Sequence, residues 1–131
     1  MSDFKKLKVW RKAHALALNV RRVATQIRGA DNAALRNQML RASMSIPTNI
    51  VEGTGQKSGR EFGRFLRFAL NSTSELEYHL IAAKDFALIS IADYTTLQGQ
   101  TTEIRKMLHG LLGSVTGFPR NPTPTSPGVV N

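Results

Sequence analysis

Apolar side chains recur along this chain at steps of three and four residues, the mark of a buried stripe along one side of a helix. A first segment carries Val9, Ala13, Leu16, Val20, Val23 and Ile27 in this rhythm, and a second carries Leu35, Met39, Ala42, Ile46 and Ile50. The third runs Phe62, Leu66, Ala69, Thr73, Leu76, Leu80, Ala83, Ala87, and the fourth Tyr94, Leu97, Thr101, Ile104, Leu108, Leu111, Val115. No segment sustains a period of two, so strands are not expected.

Helix punctuation falls between the stripes. Gly29 is expected to end the first helix, Asp31 or Asn32 to cap the second, and Gly53 and Gly55 to end it. Ser58-Gly-Arg-Glu61 reads as a capping box, in which hydroxyl and carboxylate each satisfy a free backbone N–H. Ser90-Ile-Ala-Asp93 opens the fourth helix in the same way. Connections of about 3–6 residues make neighbouring helices antiparallel. The predicted fold is all-α, an up-down-up-down four-helix bundle.

Pro47 sits inside the second pattern, where it removes the bond to the Ser43 carbonyl. Two readings stand. The helix bends there around the core, or the freed carbonyl and Asn49 form a polar site.

The length of 131 residues leaves room for one domain, and 41% apolar content is enough for a core. Four of the five prolines (Pro119, Pro122, Pro124, Pro127) crowd the last 13 residues. The folded domain is therefore set at 1–118, with 119–131 as a disordered Pro-rich tail. With no cysteine, disulfides, thiolate metal sites and cysteine nucleophiles are excluded. The N-terminus lacks the apolar run of a secretory signal, and no run reaches membrane-span length. A cytoplasmic protein without a membrane partner is expected.

Charge is unevenly placed. Residues 1–67 hold 14 Lys and Arg against 4 Asp and Glu, a net of +10; residues 68–131 hold 4 against 5, a net of −1. An anionic partner for the front half is one consequence, and a merely solvated basic surface is the other.

Catalytic groups are sparse. There is no Glu-x-x-His pair of the di-iron bundles, no phosphate loop and no nucleophile elbow. His14 and His109 fall on outer helix faces, and His79 on a flank one turn after Glu75. The chain is read as a non-enzyme without metal or cofactor.

Lys57, Arg60, Arg64 and Arg67 step by 3, 4 and 3 opposite the Phe62/Leu66/Ala69 stripe, making a basic ridge suited to phosphates. Lys8, Arg11, Arg21 and Arg22 add charge on the first helix, with Lys5, Lys6 and Lys12 beside them. Aromatic platforms for bases are not evident on the ridge. Leu7, Trp10 and Leu18 on the first helix, with Phe68 and Phe86 on the third, project off the stripes and are assigned to subunit contacts in a closed homo-oligomer.

Three runs carry a resemblance: Asp3-Phe-Lys-Lys-Leu-Lys-Val-Trp-Arg-Lys-Ala13, Arg41-Ala-Ser-Met-Ser-Ile-Pro-Thr-Asn-Ile-Val-Glu-Gly53 and Glu61-Phe-Gly-Arg-Phe-Leu-Arg67. Over roughly residues 3–115 the chain resembles the four helix bundle protein family, which includes proteins encoded in intervening sequences of bacterial large-subunit ribosomal RNA genes. It is also similar to the accessory variability proteins of diversity-generating retroelements. The resemblance implies a pentameric ring of bundles and, for the retroelement relatives, RNA or DNA binding together with a reverse transcriptase. Asn71-Ser-Thr-Ser74 departs from the family pattern, where a Gly-Ser pair followed by an apolar residue is more common. The functional expectation is a non-catalytic, oligomeric nucleic-acid-binding accessory protein. The alternative is a homo-oligomeric scaffold for a protein partner.

Overall fold

The computed structural model describes residues 3–117. Four helices dominate: α1 (Lys8–Ala24), α2 (Ala33–Thr54), α3 (Gly59–Asp85) and α4 (Ile91–Thr116). Each packs on its neighbour in the chain, and α4 closes back against α1. Among the described residues the backbones of α1 and α3, and of α2 and α4, come no closer than 8 Å between Cα atoms, so these pairs occupy the diagonals of a square. This is the all-α four-helix bundle that the periodicity predicts. The tail assigned to 119–131 lies outside the described residues.

The stripes form one core. Leu16, Met39, Ile46, Ile50, Leu66, Leu76, Leu80 and Leu108 are fully buried together. Thr73 and Thr101 stand within the stripes and keep their hydroxyls satisfied by donating to the Leu70 and Leu97 carbonyls at 2.7 Å each.

Helix ends depart from the expected punctuation at several points. α1 stops at Ala24 rather than Gly29, with Thr25 as its C-cap, and the Thr25 hydroxyl donates back to the Arg21 carbonyl at 2.8 Å. Gly29, at φ 98°, serves the following loop, and Ile27 stays buried from that loop. Asn32 occupies the N-cap of α2 but gives no cap bond; its amide donates to the Arg28 carbonyl at 2.8 Å. Gly53 lies inside α2, where a Cβ would come 2.7 Å from the Phe62 ring. Ser58 does cap α3, accepting from the Glu61 N–H at 3.1 Å, while the Glu61 carboxylate turns to Arg64 instead of closing the box. Ser90 caps α4, accepting from the Asp93 N–H at 3.0 Å. Ala87 is not a stripe residue. It follows α3 at φ 59°, and the Leu88 N–H reaches back to the Ala83 carbonyl at 2.8 Å, which closes the helix.

α2 continues through Pro47, whose ring is buried. The Asn49 amide nitrogen is already engaged: it donates to the Ser45 carbonyl at 2.8 Å and lies 3.0 Å from the Ser45 hydroxyl. Ser72 of α3 bonds that same hydroxyl at 2.8 Å. The polar groups near the proline thus join α2 to α3.

Leu7 and Trp10 correct the assignment of both to an unpartnered face. Both are half-buried against the core cluster. A short 3-10 turn at Phe4–Lys6, capped by Asp3, folds Phe4 edge-on against Trp10 at 5.0 Å, and His14 stacks against the indole at 5.2 Å. Leu18, Phe68 and Phe86 remain exposed, at 57%, 40% and 67%.

Candidate nucleic-acid interface

α3 rises from its Ser58 cap, and its outward side is set by the residues opposite its buried stripe. Arg60, Arg64 and Arg67 stand exposed there on successive turns, with Lys57 exposed just before the helix. Among the described residues Lys57, Arg60 and Arg67 have no carboxylate partner. Arg64 does, meeting Glu61 at 3.0 Å.

The ridge also carries aromatic surface, contrary to expectation. The Arg64 guanidinium lies 4.8 Å from the Phe65 ring centre and 5.4 Å from that of Phe68, and the two rings meet edge-on at 5.6 Å. Phe65 and Phe68 follow Arg64 by one and four residues. The i,i+4 spacing signals the Arg64–Phe68 pair in the sequence, whereas Phe65, one residue on, gives no such signal.

The first-helix cations are placed elsewhere. Because α1 and α3 are diagonal, Lys8, Arg11, Arg21 and Arg22 cannot share a face with the α3 ridge. Lys8 and Arg21 are exposed. Arg11 donates to the Lys5 carbonyl at 2.9 Å, Arg22 stands 4.0 Å from Asp93, and nearby Lys12 pairs with Glu103 at 3.1 Å. The acidic residues of α4 therefore absorb part of the α1 charge. The acidic residues of α3 work likewise on the bundle surface: Glu75 holds Arg41 at 2.6 Å and Glu77 holds Arg105.

A cleft of about 460 Å³ opens between α3 and α4, reached from the ridge through Arg67. Asn71 and Ser74 continue its α3 wall, Arg105 and His109 form its α4 wall, and Leu70 and Leu112 line it too. His79 lies away from it, half-buried beside Glu75 and Arg41. Burial lowers its pKa from the ordinary 6.5; Glu75 pulls upward and Arg41 adds a smaller push down. Among the described residues no group of acids and histidines could hold a metal, and no helix is long and apolar enough to cross a membrane.

The family model described as 23S rRNA-intervening sequence protein matches residues 5–110. The chain belongs to that family. Every ridge residue of this intervening-sequence protein lies inside the matched segment, as do Phe65 and Phe68. A solved structure from Bacteroides thetaiotaomicron, described as a protein with unknown function from the S23 ribosomal protein family, superposes with a TM-score of 0.73 at 25% identity. The match covers 79% of this chain and 97% of that one. No curated protein matches significantly.

Proposed function

We propose that this intervening-sequence family member is a non-catalytic nucleic-acid-binding protein that grips phosphate backbones with the outer face of α3. The observation that carries this reading is the ridge itself. Lys57, Arg60 and Arg67 present cations along one exposed face with no carboxylate partner among the described residues, in a chain of net charge +9. Phosphate contacts release counterions, so binding of this kind is insensitive to sequence and falls steeply with salt. Assembly into a homo-oligomer would repeat the ridge and multiply weak contacts.

Fluorescence anisotropy with labelled RNA and DNA across a salt series tests the proposal. Wild type should bind both, with affinity falling linearly on a log–log salt plot. Arg60→Glu, Arg64→Glu and Arg67→Glu together should abolish binding while the helical signal persists. Reversal of Arg28 and Lys106, exposed cations off the ridge, should reduce it far less. Equal binding by wild type and the triple variant would reduce the ridge to a solvated face.

A scaffold role for a protein partner is the second reading. Its support is the large exposed apolar residues at the opposite end of α3, where Phe86 and Ile91 are each 67% exposed and Tyr78 66%. Binding of nucleic acid that survives high salt unchanged, or none at all, would favour it.

A further inference from the structure

The α3/α4 cleft adjoins the ridge but has a different chemistry. A duplex backbone asks for cations spaced along its phosphates and little else. The cleft has one unpaired cation, Arg67, beside neutral polar groups that are exposed like it. Asn71, Ser74 and His109 make no side-chain hydrogen bond to the protein among the described residues, so their donors and acceptors face whatever enters. The second guanidinium, Arg105, is tied to Glu77 and so forms a fixed wall rather than a free charge. Leu112 adds an apolar surface.

The lower end of the cleft is closed by close packing. At Gly59 a Cβ would fall 2.0 Å from the Val115 carbonyl oxygen, and at Gly63 a Cβ would fall 2.7 Å from the Thr116 methyl. The two helices are pressed together there. One turn further up α3, longer side chains leave an open groove of about 460 Å³.

An unpaired guanidinium, an amide, a hydroxyl, an imidazole and an apolar side chain along one groove match the parts of one unpaired nucleotide. Arg67 meets the phosphate, Asn71 and Ser74 meet a base edge, and His109 and Leu112 offer surface to a base face. In a duplex those edges and faces are occupied by pairing and stacking. We propose that the cleft seats one unpaired nucleotide of a strand whose neighbouring phosphates lie on Arg60 and Arg64, so that the protein prefers single strands to duplexes. This rests on the backbone-binding reading above.

The test compares labelled mixed-sequence oligonucleotides, single-stranded and annealed, in ribo and deoxyribo forms at one salt concentration. Wild type should bind the single strands about tenfold more tightly than the duplexes. Asn71→Ala, Ser74→Ala and His109→Ala together leave the ridge intact and should bring the two affinities within about twofold of each other. Asn71→Asp, which places a carboxylate in the exposed cleft, should weaken single strands several-fold more than duplexes. Binding of both forms by wild type with equal affinity would overturn the inference and leave the backbone reading standing. Preference retained by both variants would overturn it too, as would a change of oligomer mass in the triple variant, which would mean that another subunit occupies the cleft. Wild-type protein that binds neither form would remove the backbone reading and this inference together.

Discussion

Single residues carry two separate tasks here. Leu66 and Leu80 fill the centre of the bundle with no exposed surface, so Leu66→Ala or Leu80→Ala should each cost about 2–5 kcal/mol in chemical unfolding. Unchanged unfolding midpoints for both would mean the core is elsewhere. His79 matters through its protonation: burial disfavours its charged form. Its folded pKa lies below 6.5, so above that pH both folded and unfolded chains carry it neutral and its full contribution is present. As pH falls through 6.5, the unfolded chain takes up the proton first and stability declines until the folded pKa is also passed. Urea midpoints measured from about pH 7 down to about pH 5 should fall less steeply in His79→Gln than in wild type. Parallel curves would show that His79 is already solvated as freely as in the unfolded chain. At the candidate site, Arg64 shows what linear reading misses: its partners Glu61, Phe65 and Phe68 all lie within four residues, yet only the cations were legible as a line.

At the level of elements, four helices and nearly all their inward faces were legible, because burial imposes the 3/4 rhythm directly on the sequence. The ends were less so. Gly29 looked like a terminator, yet α1 stops at Ala24 with the Thr25 hydroxyl turned back onto Arg21, and Gly29 shapes only the loop. Trp10 projects off the stripe of its own helix. It is covered by Phe4 from a turn that the helical period cannot describe. The α3/α4 cleft was not legible at all, since it depends on how far two helices are shifted along each other. Ala87 offers a direct check on element closure. It holds a left-handed conformation that costs a side chain about 1 kcal/mol and costs glycine little. Ala87→Gly should therefore raise stability by about 0.5–1 kcal/mol in urea titration. A loss of stability would show that the Ala87 methyl contributes more than its backbone strain removes.

At the scale of the whole molecule, Leu18, Phe68 and Phe86 are the exposed members of the expected subunit contact, while Leu7 and Trp10 also pack against the core. We expect light scattering to give a mass several times 14.5 kDa, moving toward smaller species in Leu18→Ser with Phe86→Ser before the helices melt. A strict monomer at micromolar concentration would end the ring expectation. The diagonal placement of α1 and α3 has a further consequence. Lys8 and Arg21 look out from one corner of the square, and Arg60 and Arg67 from the corner opposite. One short polyanion cannot wrap both corners of a single bundle. Only the α3 corner carries the proposed phosphate ridge, so each bundle should hold one strand on one side. If the expected homo-oligomer repeats that ridge, it should gather long nucleic acid into networks near charge equivalence and turn the solution cloudy, and an excess of either component should clear it.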